Sequence, residues 1–405
     1  MKRVLASAGL VAVGAATVQA QYTPGVPPAE QTKPWSITVG VAGFYDDNQF
    51  TAPDNSPSKE PSWGIAVNPT VGLDFDLERT VITVDFDYTL KWYDNRPDNN
   101  SDQQIVGFVG VTHDFSERYT LDVSDRFIYS DQAEVLLGTG PSSFYGRSDS
   151  DYYRNIGRAM FDAGLTERFT ISVGYQNQIW DFVQTGTPDS YSATLDRMQQ
   201  LGIIEFKGML AAQTDVLLGY NMRGVDYNSS DLITIAGGLN SAATRNYRAN
   251  IVYAGVEHDF SPQLTTALRI GAELNDFYNL SDYAGPAASV NYDDSNTMPY
   301  VDFVLSYNYN PGSYVNLGVM NTMNATDVGN ALSQGSTAAY LDVNHRLAPK
   351  WTLGLIGMLQ SSTFNGGVFN DQHEWYFLGG ADVSYDFNKN LRAEVGYTFD
   401  QVNSD

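Results

Sequence analysis

The stretch of residues 62–95 sets the strongest limit on what this chain can fold into. From Trp63 to Phe75, bulky residues occupy the odd positions and small or polar residues occupy the even ones. After a short polar turn, the alternation resumes from Ile82 to Trp92. A period of two predicts β-strands with one apolar and one polar face, and the short turn between the runs predicts an antiparallel hairpin. Each run is about 13 residues long, whereas strands of soluble domains average roughly 5 or 6. Such strands suit a wall between lipid and water.

The same alternation continues to the last residues and predicts about 17 strands. They cover residues 35–45, 63–76, 80–93, 104–115, 118–129, 152–165, 168–181, 197–210, 214–227, 245–259, 263–277, 298–309, 313–323, 338–347, 350–360, 373–386 and 391–401. The predicted fold class is all-β, a transmembrane antiparallel up-and-down β-barrel over residues 35–405. Because single-chain bacterial barrels have an even number of strands, we expect 18 in the complete protein, with one descending strand missing from residues 35–405.

Short turns rich in Asp, Asn, Pro and Gly alternate with longer polar loops along the chain. This alternation is the asymmetry between the two rims of outer-membrane barrels. One rim is therefore predicted to carry the turns at Asp114, Glu167, Pro262, Pro311 and Pro349. The opposite rim is predicted to carry the long loops, including those at residues 130–151 and 278–297.

The N-terminal segment has the features of an export signal. Lys2 and Arg3 precede a short apolar run, and small residues follow it, so residues 1–20 are predicted to be a secretory signal peptide. Residues 21–34 are rich in Pro and predict an extended periplasmic linker. The sequence contains no cysteine, which excludes disulfides and a lipoprotein anchor.

The net charge of the chain limits the kinds of partner that it can bind. The formal net charge is -24, and a basic footprint for nucleic acid is absent. Together with the signal peptide and the long strands, this predicts location in the cell outer membrane. The expected partners are outer-membrane lipid and the barrel-assembly machinery, and a homo-oligomer is left open.

The parity of each strand divides its residues between two faces. The apolar parity is predicted to face lipid, with Phe86, Tyr88, Leu268, Ile270, Val395 and Tyr397 as examples. The polar parity gives the candidate lumen-lining residues Asp85, Asp87, Lys91, Arg126, Arg154, Arg158, Arg269, Glu273, Arg392 and Glu394. All six tryptophans fall near strand ends and predict an aromatic girdle at the membrane interfaces, formed by Trp35, Trp63, Trp92, Trp180, Trp351 and Trp375.

Residues that could carry chemistry are scattered. His113, His258 and His345 each sit at a separate inner-side strand end, and His373 near the outer rim has neither a nucleophile elbow nor metal-ligand spacing beside it. Loop acids such as Asp293 and Asp294 lack calcium-loop spacing. No catalytic, cofactor-binding or metal residue is therefore assigned, no cofactor is expected, and an enzyme is not predicted.

Three short features resemble the beta-barrel porin 2 family of outer-membrane proteins. They are residues 35–48 (WSITVGVAGFYDDN), the strand containing Asn68-Pro69, and residues 88–94, which lead into a polar loop. The resemblance covers nearly the whole mature chain. It implies a barrel in the outer membrane of a diderm bacterium and adds little about cargo.

The predicted function is a porin-like diffusion channel, or the outer-membrane component of an export system, for small polar solutes or polysaccharide. About 18 strands would enclose a water-filled lumen. The alternative is a structural or adhesive barrel with a closed lumen and acidic surface loops. A hydrolase is the weakest of the three readings.

Overall fold

The computed structural model describes residues 33–49, 59–96, 100–131, 151–235, 238–280, 294–328, 331–367 and 369–404. The predicted signal peptide and nearly all of the predicted linker lie outside these residues, as do the central parts of the loops at 130–151 and 278–297.

The chain is almost entirely β-structure. Its strands in order are β1 (Trp35–Asp46), β2 (Ser62–Leu77), β3 (Thr80–Tyr93), β4 (Ser101–Ser116), β5 (Tyr119–Ser130), β6 (Tyr152–Gly164), β7 (Phe169–Phe182), β8 (Arg197–Ala211), β9 (Thr214–Tyr227), β10 (Leu232–Ile235), β11 (Gly238–Ser241), β12 (Tyr247–Ser261), β13 (Leu264–Phe277), β14 (Ser295–Asn310), β15 (Ser313–Ala325), β16 (Ser333–Ala348), β17 (Trp351–Asn365), β18 (His373–Asn388) and β19 (Leu391–Ser404). A short helix, α1 (Tyr191–Leu195), precedes β8, and a 3-10 turn (Ala242–Arg245) precedes β12.

Seventeen of these strands form one antiparallel sheet, and β10 and β11 form a separate hairpin within a connection. Every strand predicted from the sequence is present, with its ends displaced by a few residues. The predicted all-β, antiparallel up-and-down fold is therefore confirmed. The β10–β11 hairpin and α1 were not predicted.

Each strand of the sheet pairs with the next one along the chain, and β9 pairs with β12 across the small hairpin. Among the described strands, no register joins β1 to β19, so these two form the edges of the sheet. Because the number of strands is odd, the two edge strands run in the same direction. The eighteenth strand stays a prediction.

The two ends of the sheet are unlike, as predicted. Tight turns connect β2 to β3, β4 to β5, β6 to β7, β8 to β9, β12 to β13, β14 to β15, β16 to β17 and β18 to β19. The alternating direction of the strands places all of these turns at one end, which we call the short-turn rim. The longer connections lie at the opposite end, the long-loop rim. The five turns named from the sequence share one rim, so that prediction is confirmed.

Contacts between distant strands show how the sheet curves. Arg223 on β9 donates from Nη2 to Oγ1 of Thr322 on β15, at 3.3 Å. Four strand spacings separate these two strands, which is about 19 Å in a flat sheet. Two side chains cannot bridge that distance unless the sheet bends toward them. The face that carries them is therefore concave, and the opposite face is convex.

The two faces differ in chemistry. The convex face keeps its large apolar side chains exposed, as at Ile37 (65%), Leu218 (58%) and Val395 (80%). The concave face holds buried polar groups such as Glu205 and Arg269. The residues predicted to face outward, Phe86, Tyr88, Leu268, Ile270, Val395 and Tyr397, all lie on the convex face. The period-two reading of the strands is thus confirmed.

Apolar side chains also fill the concave side near the long-loop rim. One cluster joins Tyr227, Tyr247, Phe277, Met323 and Leu332, from four strands and one connection. A second cluster joins Ile128, Tyr152, Phe182 and Leu195. These clusters pack the connections against the inside of the sheet. Across the described residues, no helix has the length and apolar character needed to cross a membrane.

Candidate functional site on the concave face

The concave face has two arcs that carry charges in different surroundings. We call the concave residues of β3, β4 and β5 the open arc, because those in the middle of these strands are only half-buried. We call the concave residues of β8, β9, β12, β13, β14 and β15 the closed arc, because the charged residues at its centre, among them Glu205, Arg269 and Glu273, are buried.

In the middle of the open arc, Asp85 and Asp87 face Arg126 without a described ion pair between them. The hydroxyl of Thr70 donates to Asp87 at 2.6 Å, and the guanidinium of Arg126 lies 5.4 Å from the ring centre of Phe108. Asp85 and Asp87 are both within electrostatic range of Arg126. None of the ion pairs within 4.0 Å found among the described residues involves Asp85, Asp87 or Arg126. Their charges are therefore available to water and to mobile ions.

In the closed arc, Arg269 on β13 is the centre of a buried network. Its Nε donates to Oε2 of Glu205 on β8 at 2.9 Å, and its Nη2 donates to Oε1 of Glu257 on β12 at 3.0 Å. Lys207 also donates to Glu257, at 2.6 Å, and Asp302 lies 3.9 Å from Nη1 of Arg269. Only 2% of Arg269 is exposed. The charges of this network pair with one another, which is the condition under which buried ion pairs are tolerated.

A second buried pair lies nearer the long-loop rim. Glu273 is fully buried and accepts hydrogen bonds from Arg223 Nη2, from Thr322 Oγ1 at 2.8 Å and from the amide of Met323 at 3.1 Å. These donors come from β9 and from β15, on either side of β13. A carboxylate with this many donors fixes the curvature of the sheet at this level.

A glycine makes room for the tyrosine of the closed arc. Tyr253 on β12 is opposite Gly219 on β9, which in turn is opposite Glu205 on β8. The tyrosine ring lies across Gly219, and its hydroxyl donates to Oε2 of Glu205 at 2.9 Å. A Cβ at Gly219 would lie 2.0 Å from Cζ of Tyr253. The bond to Glu205 therefore depends on glycine at this position.

At the long-loop rim, Arg245 ties separate connections together. Its Nη1 donates to the carbonyl of Thr326 at 3.3 Å, and its Nη2 donates to the carbonyls of Ala193 and Thr194 at 3.1 and 2.7 Å. The ring of Tyr227 lies 3.8 Å from its guanidinium. The side chain is fully buried, and this burial lowers the pKa of Arg245.

Arg197 and Asp327 complete this cluster, and we call Arg197, Arg245 and Asp327 the rim clamp. Arg197 Nη1 donates to Asp327 at 3.2 Å and to the carbonyl of Leu195 at 3.1 Å. Burial raises the pKa of Asp327, and the charges of the two arginines oppose that rise. The clamp joins the connections before β8, before β12 and before β16 over the mouth of the closed arc.

Beside the clamp, Asp196 holds the end of α1. Its carboxylate accepts from the amide of Phe182 at 2.7 Å and from the hydroxyl of Ser192 at 2.5 Å. Burial raises the pKa of Asp196 to about 6, although both hydrogen bonds act in the opposite direction.

The structure places all ten predicted lumen-lining residues on the concave face, but in different surroundings. Asp85, Asp87, Lys91 and Arg126 belong to the open arc, Arg158 borders it, and Arg154 is buried near the long-loop rim. Arg269 and Glu273 belong to the closed arc. Arg392 pairs with Asp386 at 2.7 Å, and Glu394 lies opposite Ser384 in the register of β18 and β19. That they line a water-filled lumen stays a prediction.

Five of the six tryptophans of the predicted girdle lie on the convex face, and one lies on the concave face. Trp35, Trp63, Trp92, Trp351 and Trp375 are exposed on the convex face near strand ends. Trp180 is a correction, because it lies on the concave parity of β7. There the guanidinium groups of Arg154 and Arg197 lie 4.8 and 4.3 Å from its ring centre. Proximity to a strand end predicts that a residue lies at a rim, but it does not predict which face of the sheet carries the side chain. The two arginines hold this ring on the concave face.

The histidines occupy separate places at the rims. Nδ1 of His113 lies 2.8 Å from the hydroxyl of Thr80, and Nδ1 of His258 lies 2.8 Å from the hydroxyl of Thr214. Each ring meets a phenylalanine two residues further on, edge to face, at 4.5 Å. Among the described residues, no three His, Cys, Asp or Glu side chains are grouped to hold a metal ion. The repeated turn sequence His-Asp-Phe-Ser thus builds the same local packing twice.

Sequence reasoning missed the rim clamp and the tyrosine that crosses Gly219. Both depend on contacts between residues that are far apart in the chain. The sequence signal for the clamp is weak, since Arg245 lies in a polar connection with no periodic pattern.

Comparison with solved structures finds similarities of fold at low sequence identity. The FrpB iron transporter from Neisseria meningitidis matches with a TM-score of 0.43 and 10% identity, over 92% of this chain and 63% of that chain. The copper transporter OprC matches with a TM-score of 0.40 and 9% identity, over 93% of this chain and 64% of that chain. The alcaligin outer membrane receptor FauA from Bordetella pertussis matches with a TM-score of 0.38 and 13% identity, over 91% and 72% of the two chains. The chain thus spans less than two thirds of the first two structures.

No family model matches the chain, and no curated protein matches it. The resemblance to the beta-barrel porin 2 family therefore stays a prediction.

Proposed function

We propose that this chain forms a β-barrel in a bacterial outer membrane and that polar solutes cross it along the open arc. The convex face supports the location. Exposed large apolar side chains recur on it around the sheet, whereas a soluble monomer rarely exposes a continuous apolar patch of more than a few hundred Å². Hydrocarbon is the solvent that such a face suits.

The single observation that carries transport is the contrast between the two arcs. Half-buried Asp85, Asp87 and Arg126 face the concave side without an ion-pair partner within 4.0 Å among the described residues, whereas Arg269 and its acids form a closed network. Fixed charges that remain unpaired and hydrated suit a path for polar solutes. The path is narrow, because the closed arc fills much of the concave side.

A closed structural or adhesive barrel is the second candidate. The rim clamp favours it, because Arg245 ties the connections over the mouth with three hydrogen bonds. The two candidates differ in whether the clamp ever leaves a continuous water path.

Current through planar lipid bilayers tests the proposal. We expect the full chain to give small, stepwise currents and Arg245→Ala to give larger ones, because the variant releases the connections. Arg248→Ala is the matched control, since Arg248 is three residues away and exposed on the convex face. Absence of current from both the full chain and Arg245→Ala would contradict transport and favour the closed barrel. Recovery of the chain in the soluble fraction after export would contradict the membrane location itself.

The cargo remains at the level of the sequence prediction. Small polar solutes fit a narrow path with charges of both signs. Passage of a polysaccharide through an export system stays a prediction from the sequence.

A further inference from the structure

One acidic residue interrupts the convex face far from any strand end. Asp125 is the seventh of the twelve residues of β5 and lies between Val123 and Phe127, which are 43% and 41% exposed on the same face. In the described strands, the other Lys, Arg, Asp and Glu side chains of the convex face lie second from a strand end at the long-loop rim. They are Asp181, Asp226, Arg248 and Asp276. Asp125 alone lies at the depth of the apolar middle of the sheet.

Polar and small residues lie beside Asp125 on the side of β6 and β7. Nδ2 of Asn155 on β6 donates to both carboxylate oxygens, at 2.9 and 3.1 Å. Gly157 is opposite Asp125 in the register, and a Cβ there would lie 3.5 Å from Oδ2 of Asp125. Asn177 on β7 is opposite Gly157 on the other side. We call Asp125, Asn155, Gly157 and Asn177 the polar patch.

A polar patch at this depth is costly if it faces hydrocarbon. A carboxylate has more acceptor positions than Asn155 fills, and lipid tails offer no donor. An ionisable group inside a membrane is accordingly found where another polar group meets it. The exposed carboxylate therefore calls for a further donor beside Asn155.

We infer that the polar patch is the contact between two copies of this chain, side by side in the membrane. This inference rests on the proposed membrane location. The patch is self-complementary, because its acceptor and a donor flank Gly157 on opposite sides. A two-fold axis along the membrane normal at Gly157 brings Asp125 near the partner's Asn177, and Asn177 near the partner's Asp125. Such an isologous arrangement forms both contacts at once.

The small size of Gly157 serves this contact. Small residues let membrane-embedded walls approach closely, so that polar side chains on both sides can reach each other. Gly157 lies in the centre of the row from Asp125 to Asn177. The axis therefore passes through the residue of the patch that projects least from the convex face.

Cysteine trapping tests the inference directly, because the natural chain contains no cysteine. Ala159 lies on β6 two residues from Gly157, on the same convex parity, and thus next to the proposed axis. We expect Ala159→Cys, in the otherwise unchanged chain in membranes, to form an interchain disulfide under mild oxidation. Ala339→Cys is the matched control. It makes the same substitution at a partly buried convex position of β16, away from the patch, and should stay monomeric.

A second variant links the contact to the carboxylate. Asp125→Leu in the Ala159→Cys chain should lower the disulfide-linked fraction about tenfold, which is the loss expected for two modest hydrogen bonds in a membrane. Trapping of Ala159→Cys no better than Ala339→Cys, in chains recovered from the membrane, would overturn the dimer and leave the proposed function standing. Unchanged trapping after Asp125→Leu would overturn the role of the patch. Absence of the chain from the membrane fraction would instead contradict the proposed location.

Discussion

The open and closed arcs of the concave face both carry acidic and basic residues on alternate positions of long strands. In the open arc, Thr70 is the hydrogen-bond partner of Asp87, and the charges stay half-buried. In the closed arc, donors from two strands meet each of the carboxylates of Glu205, Glu257 and Glu273. The difference teaches that charge alone does not decide whether a lining residue serves transport or stability. The neighbours across the curve of the sheet decide it.

The largest expected effect is the loss of a buried acid from the closed arc. Glu273→Ala leaves Arg223 buried without its carboxylate, which should lower the free energy of unfolding by about 3–5 kcal/mol. Asp85→Ala in the open arc should change it by less than about 1 kcal/mol. Urea titration of the full chain folded in lipid vesicles measures both. Equal losses would erase the distinction between the arcs.

A smaller loss is expected when the tyrosine is displaced from the closed arc. In Gly219→Ala the new methyl group would meet the ring of Tyr253, so the ring must leave Glu205. Overpacking of this kind should cost about 1–3 kcal/mol in the same titration. Gly224→Ala on the same strand is the control, because a Cβ there meets nothing within 4 Å. A Gly219→Ala chain as stable as Gly224→Ala would show that the ring moves freely.

Ion selectivity should depend on the charges of the open arc and not on those of the closed arc. Removal of two open-arc charges by the double substitution Asp85→Asn and Asp87→Asn should lower the cation-to-anion permeability ratio by about twofold at roughly 0.1 M salt, since hydrated charges are strongly screened. Asp302→Asn in the closed arc should leave the ratio unchanged, because this residue is buried beside Arg269. Reversal potentials across a salt gradient give the ratio. An effect of Asp302→Asn larger than that of the double variant would place the path along the wrong arc.

The smallest effect concerns the rim that covers the closed arc. The pKa of Asp196 is about 6 in the folded chain, against roughly 3.9 for a free aspartate. The folded form thus keeps a proton that the unfolded form has already released between about pH 4 and pH 6. The stability of the rim should be highest below about pH 4, fall as the pH rises to about 6, and then stay level. Hydrogen exchange of the α1 amides measures this, and Asp196→Asn should remove the dependence. A rim that becomes more stable between pH 4 and pH 6 would contradict it.

Strand positions and faces could be predicted because their cause is local. In β3, alternate residues point to opposite sides of the pleated backbone, so Asp85 and Phe86 are assigned to faces by counting alone. The same counting places Asp125 on the convex face, next to Val123 and Phe127, yet parity by itself gave no reason to single it out. Trp180 shows the opposite failure, because a rule based on strand ends overrode a parity that was already correct.

The sequence by itself therefore determined the seventeen strands, their up-and-down order, the two unlike rims and the face of nearly every lining residue. These follow from the period of the pleat and from turn chemistry, which act within a hairpin. Only the tertiary structure decided that Arg269 meets acids from three other strands, that Tyr253 crosses Gly219, and that Arg245 fastens distant connections. These contacts depend on the curvature of the whole sheet, which brings together residues up to 130 positions apart along the chain.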